Sequence, residues 1–294
     1  FPITAERRLG PRWLVWGGPA AIVRQSWLEA SAEDITTRSD TVELLGGGGL
    51  GVGWRGPRVR FGLSGALHAD LTRAVPESVR AAFTNQGELC HCGSRILVER
   101  GAYDRFVERF VAETRKLKVG DPLEPVTDQG ALVSKAHFEK VSGYLAVAKQ
   151  EGGRVRCGGG PPPKLPERCG GGYFIEPTVL VNTNESMKVV QEEIFGPVLT
   201  AMPFKNVDED LIRRANDSLY GLAGGVYSTN LGTAHKIANR LKAGTVWVNC
   251  YNIFDASMPF GGYKQSGWGR EMGHEVLKNY LETKSVCVAL GGAI

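Results

Sequence analysis

Cys90 sits in the string Phe83-Thr84-Asn85-Gln86-Gly87-Glu88-Leu89-Cys90-His91-Cys92-Gly93-Ser94-Arg95, between a helical stretch and an apolar strand-like run. Gly87 permits a tight backbone turn, so the thiol can be presented at the edge of a sheet with neighbouring backbone N–H groups near an oxyanion. A thiolate there can attack an electrophilic carbon. A free thiol, with pKa about 8.5, is mostly protonated at neutral pH and needs help to ionise. His91 and Arg95 are near in sequence, but adjacent residues on a turn usually point apart, and His91 reads as an ordinary surface residue. Two other readings stand beside the nucleophile: a packed, inert cysteine, and a Cys90/Cys92 metal pair. The pair has no second Cys/His pair at ligand spacing, so no metal is expected. Further on, Gln191-Glu192-Glu193-Ile194-Phe195-Gly196-Pro197 sets two carboxylates before a Gly-Pro turn; taken alone they read as solvated charges.

These residues need a scaffold, and the chain after Gly65 supplies one. Leu71, Ala74, Val75, Val79 and Ala82 share a face of a helix over Asp70 to Phe83, with Pro76 discordant. Arg95 to Glu99 reads as a strand, and Tyr103, Phe106, Val107, Phe110 and Val111 as an amphipathic helix ending near Gly120. A helix follows from Ser134 to Glu151, then a Pro/Gly-rich loop over Gly158 to Gly172 and a strand over Phe174 to Val181. The helices Asp208 to Asn216 and Gly232 to Leu241 alternate with strands Leu222 to Tyr227 and Thr245 to Asn249. This alternation predicts an α/β fold, a mostly parallel sheet with helices on both faces. Glu282 to Val288 alternates polar with apolar, as an edge or intersubunit strand does.

Residues 1–65 are different. They hold four of the six tryptophans and the run Gly46-Gly47-Gly48-Gly49, with no persistent period. Val42 to Leu45 and Ala21 to Val23 are short strand candidates, but the segment reads as atypical or disordered.

The formal charge of +4, with no basic block interleaved with aromatics, argues against nucleic acid as a partner. No apolar run approaches the roughly 20 residues that cross a bilayer, and no secretory leader is recognisable. Six cysteines in 294 residues are too few for a disulfide scaffold. A cytoplasmic protein without a membrane partner is expected.

Three strings, taken together and in order, resemble the aldehyde dehydrogenase family: the one around Cys90, Gln191 to Pro197, and Pro259-Phe260-Gly261-Gly262-Tyr263-Lys264-Gln265-Ser266-Gly267. The likeness runs from about Ala66 to Leu290, including Gly221-Leu222-Ala223 and Gly244-Thr245-Val246-Trp247-Val248-Asn249. It implies an NAD(P)-dependent oxidation of an aldehyde to an acid, through a thiohemiacetal and then a thioester on Cys90. It further implies that Glu193 holds the nicotinamide ribose hydroxyls, that Phe195 packs near the nicotinamide, and that the stretch near 282–290 joins a homo-oligomer, dimer or tetramer.

The stretch around Cys90 is most like the aminomuconic/hydroxymuconic semialdehyde branch, whereas Asn249 to Ala256 is more like the general aldehyde branch. Where carboxylated substrates call for an Arg, this loop offers Phe254 and Asp255, so an apolar or aromatic aldehyde is expected. Phe254 reads equally well as core packing. Upstream, the family's Glu-Leu-Gly-Gly-Lys string is missing: ungapped extension puts Gly56 at its Glu, and Glu43-Leu44-Leu45-Gly46-Gly47 is only an imitation. Residues 1–65 thus read as standing where a cofactor domain belongs, either as an unrelated segment or, as their Trp/Arg/Gly bias favours, as translation from a wrong gene model. Little dehydrogenase turnover is expected of the chain alone, and a catalytically dead structural or interaction protein with the same fold is the alternative.

Overall fold

The computed structural model describes residues 59–291, with side chains from Leu71 onward, and two short strands near the N-terminus. The candidate strands at 21–23 and 42–45, and the Glu43 and Gly56 positions, lie outside the described residues. The chain divides into two compact units, Phe1–Ala69 and Asp70–Ile294. In the first, β1 (Arg7–Arg8) pairs antiparallel with β2 (Leu14–Val15).

The helix α1 (Val59–Phe83) runs on into the second unit through Pro76, which lies on its exposed side, while Leu71, Ala74, Val75, Val79 and Ala82 are buried as their spacing predicts. Then follow β3 (Arg95–Glu99) and α2 (Arg100–Thr114). The helix α3 (Lys135–Gln150) starts where Ser134 Oγ accepts from the His137 backbone N–H at 3.2 Å, an N-cap that satisfies an otherwise orphan donor. After β4 (Arg154–Cys157), β5 (Thr178–Val181), the short α4 (Lys188–Gln191) and β6 (Val198–Phe204), α5 (Glu209–Asn216) is capped by Asp208. The remaining elements are β7 (Tyr220–Gly221), β8 (Ala223–Val226), α6 (Leu231–Ala238), β9 (Thr245–Val248) and β10 (Tyr263–Lys264).

The main sheet has the order β3-β6-β5-β4, with β3, β6 and β5 parallel and β4 antiparallel at the edge. Successive residues of β6 face opposite ways. Leu199 and Ala201 join Phe83 of α1 and Phe106, Phe110 and Val111 of α2, whereas Val198 and Met202 join Val141, Leu145 and Ala148 of α3. Helices therefore cover both faces, the expected α/β arrangement. β8 and β9 form a second parallel pair, and β7 with β10 an antiparallel one.

The strand expected from Phe174 forms only from Thr178, because Pro177 has no N–H for a ladder and the Glu176 N–H is spent on Gly160 O. Glu282 to Leu290 forms no ladder within the chain and is exposed throughout, Val286, Val288 and Leu290 included. Among the described residues no helix is long and apolar enough to cross a membrane, and no group of three or more His, Cys, Asp or Glu side chains could hold a metal ion.

Candidate active site

Cys90 is delivered by an unusual stretch of backbone. After α1 ends, Asn85, Gln86 and Gly87 take φ of 52°, 57° and 70° in succession. Only glycine adopts such angles without cost. At Gly87 the requirement is also steric, since a Cβ there would lie 2.3 Å from Gly196 O. The turn that carries Cys90 is thereby pressed against the stretch that carries Glu193 and Phe195. Gln86 Nε2 donates to Ala131 O at 3.4 Å and the buried Gln129 donates to Phe83 O at 2.6 Å, pinning the turn from α3's approach.

A β-turn follows, closed by the Cys92 N–H to Leu89 O at 3.1 Å, with Cys90 and His91 as its two central residues. Both side chains project from its tip. Cys90 is exposed, and its Sγ lies 3.8 Å from His91 Nδ1. The expectation that these neighbours point apart is corrected by this geometry. His91 Nε2 in turn lies 2.8 Å from Asn252 Oδ1, and the Tyr251 hydroxyl donates to His91 O at 2.7 Å. The next amides are occupied: Gly93 N–H donates to Ala81 O and Ser94 N–H to Cys92 O. Arg95, the other nearby cation, is spent elsewhere, donating to Ala215 O in the last turn of α5 and to Asp217 O just beyond it.

Cys92 differs from Cys90. Burial, reinforced by the neighbouring Cys90 and Glu193 against a lowering backbone contact, pushes its thiol up to about 11. Glu193 itself is exposed, whereas Glu192 accepts from the Tyr144 hydroxyl at 2.6 Å. Phe195 is half-buried with φ of 57°, and its carbonyl accepts from His137 Nε2 at 2.5 Å. The same nitrogen is 3.3 Å from Glu88 Oε1, both side chains being nearly buried. One imidazole thus ties the cysteine turn to the Glu193 loop.

The loop after β9 closes the other side. Phe254 stands edge-on to His91 at 5.3 Å between centroids, to Trp247 at 5.5 Å and to Phe260 at 5.2 Å. Phe254 is therefore beside the cysteine turn rather than in the core. Asp255 is spent on its own loop: its carboxylate accepts from the Ser257 hydroxyl at 2.6 Å and N–H at 2.8 Å, which holds it below the ordinary carboxylate range. The Pro259 to Gly267 string is brought in where Gly244 meets Gly261, leaving no room for a side chain: a Cβ on Gly244 would lie 1.6 Å from Gly261 O. Asn252 carries no local signal in the sequence that would have tied it to His91, 161 positions away.

These features define an α/β protein with an exposed thiol between a carboxylate-bearing loop and an aromatic wall. Residues 66–286 match the family described as the aldehyde dehydrogenase family, and the chain belongs to it. It is 44% identical over 240 residues to the 2-aminomuconic semialdehyde dehydrogenase of Danio rerio, covering 81% of this chain and 48% of that protein. It is 44% identical over 223 residues to the betaine aldehyde dehydrogenase of Mesorhizobium japonicum, covering 76% and 45%. Among solved structures, an NAD+ complex of an aldehyde dehydrogenase from Bacillus cereus superposes with a TM-score of 0.71 at 44% identity, over 76% of this chain and 44% of that one. Betaine aldehyde dehydrogenase from Staphylococcus aureus in complex with NAD+ gives 0.70 at 42% identity, over 73% and 42%. The chain spans less than half the length of these relatives.

Proposed function

We propose that Cys90 is the nucleophile of an NAD(P)-dependent aldehyde oxidation that yields a carboxylic acid. The observation that carries this is the seating of its turn against the Gly196 backbone, which sets an exposed thiol beside the loop of Glu193 and Phe195. The sulfur adds to the aldehyde carbon, and backbone amides of the turn are the donors that would receive the alkoxide so formed. The residues present suit the nicotinamide end of the cofactor: Glu193 is an exposed carboxylate able to accept from two vicinal hydroxyls, and Phe195 offers a half-buried ring two residues on. When bound, NAD(P) supplies the hydride acceptor. Glu193 and Phe195 orient it, and His137 fixes Phe195 through its carbonyl. The aromatic wall of Trp247, Phe254 and Phe260, with no cation in the loop Asn249 to Ser257, favours an apolar or aromatic aldehyde.

The domain reading is proposed likewise: 66–294 as the catalytic domain, and 1–65 as an atypical segment without the family's cofactor domain. Exposed Val286, Val288 and Leu290 are proposed to add to a neighbouring subunit's sheet in a homo-oligomer. Six unpaired thiols suit the reducing cytoplasm.

A thiol can be acylated by an activated ester without nicotinamide, so stopped-flow mixing with p-nitrophenyl acetate tests the nucleophile directly. One equivalent of p-nitrophenolate per chain is expected in the burst, with none from Cys90→Ser. An unchanged burst in Cys90→Ser would overturn the assignment. No burst in the unsubstituted chain would favour a catalytically dead structural protein. Purified 294-residue chain is expected to give little NADH with benzaldehyde and NAD+.

A further inference from the structure

We infer that His91 is the general base for Cys90 and that Asn252 holds it in the required tautomer, an assignment that rests on Cys90 being the nucleophile. Asn252 Oδ1 has no proton, so at 2.8 Å it can only accept, and Nε2 must carry the hydrogen. In a neutral imidazole Nδ1 is then the lone-pair nitrogen, and it is the atom 3.8 Å from Cys90 Sγ. The ring cannot swing away freely. Phe254 and Phe260 meet it edge-on at interplanar angles of 77° and 86°, Trp247 backs it at 6.1 Å, and the Tyr251 hydroxyl grips the residue's own carbonyl.

The proton accounting closes without any oxidant. As Sγ bonds to the carbonyl carbon, the S–H proton passes to Nδ1 and the carbonyl π pair becomes an alkoxide lone pair. The imidazolium then returns that proton to the alkoxide, leaving a neutral thiohemiacetal. With an ester, the same proton leaves with the departing alcohol and the product is the acyl-thioester.

The charged and titratable groups around the pair are few. Glu88 precedes the turn and Cys92 closes it, Arg80 of α1 donates to Tyr251 O at 2.7 Å, Glu193 comes from the loop before β6, and Tyr251 and Asp255 from the loop after β9. Glu88 is engaged with His137 and Asp255 with Ser257, while burial pushes both the Cys92 thiol and the Tyr251 phenol up. His91 is therefore the group in contact with Sγ that is free to take its proton.

Single-turnover acylation of the full chain by p-nitrophenyl acetate, followed from pH 5 to 10, tests this. In the unsubstituted chain the rate is expected to fall toward acid, because an imidazole with hydrogens on both nitrogens has no lone pair to take the thiol proton. His91→Ala is expected to lose about 100-fold at pH 7, the lower end of what a positioned base contributes. At pH 10, where hydroxide can take the proton in place of a side chain, the two rates are expected to converge to within about 3-fold. Merely structural damage would not be repaired by alkali. Asn252→Ala is expected to lose about 10-fold at pH 7 with the same convergence.

If Cys90→Ser acylates normally, the nucleophile itself is wrong. If acylation needs Cys90 but His91→Ala keeps both rate and profile, the base assignment alone falls. Should His91→Ala fail to fold, an unchanged profile in Asn252→Ala overturns it equally.

Discussion

Replacing Gly87 by alanine tests the contact that brings the two halves of the site together. The backbone at Gly87 has φ of +70°, and an alanine Cβ would lie 2.3 Å from Gly196 O and 2.6 Å from Gly196 C, both main-chain atoms. Two costs add. A side chain in the left-handed region costs about 1–2 kcal/mol. Forcing a carbon into a packed contact that only backbone can relieve costs about 1–3 kcal/mol. The sum is about 2–5 kcal/mol, which for a unit of this size lowers Tm by roughly 10 °C. Two glycines with nothing within 4 Å serve as internal references. Gly152→Ala, at φ of +93°, meets the conformational cost alone, about 1–2 kcal/mol. Gly143→Ala, on the exposed side of α3, should stabilise by about 0.5–1 kcal/mol. Urea unfolding monitored by tryptophan fluorescence measures all three. Equal losses in Gly87→Ala and Gly152→Ala would refute the close approach to Gly196, and with it the physical link between Cys90 and the Glu193 loop.

Two further outcomes follow from the surroundings of the thiol. The folded-state value of Cys92, about 11, lies above that of an ordinary thiol, so its stabilising contribution is intact below about pH 8.5 and is lost as pH climbs toward 11. Iodoacetamide pulses with peptide mapping should label Cys90 throughout and Cys92 only above about pH 10; parallel labelling of both would contradict the burial of Cys92. His137→Leu removes the donor shared by Glu88 and the Phe195 carbonyl, leaving a nearly buried carboxylate short of a partner. A loss of about 1–3 kcal/mol is expected in denaturant unfolding, and a change below 0.5 kcal/mol would show that the bridge carries no load.

Local rules sufficed wherever a residue acts on its own neighbourhood. Ser134 and Asp208 cap the helices their positions announce, and the apolar stripe of α1 packs inward through Pro76. The central strand β6 is a different case. Val198 to Phe204 is buried on both faces, so it shows no polar alternation, and Pro203 masks it further; its strand character lies in pairing with β3 and β5, which no window of sequence contains. The site divides the same way. Cys90 and Glu193 were legible only as members of strings in family order, and Phe254 only from the likeness of the loop Asn249 to Ala256, because the contacts that unite them run between distant segments. His91 was set aside on a local rule about neighbouring side chains, and the rule fails because the Leu89 to Cys92 turn places both central residues at its tip. What gives that histidine a chemical direction is Asn252, on a loop reached only after β9 has paired with β8. The tautomer of a base beside the thiol is thus set by long-range topology, and a reading confined to the motif finds the nucleophile while missing the group best placed to deprotonate it.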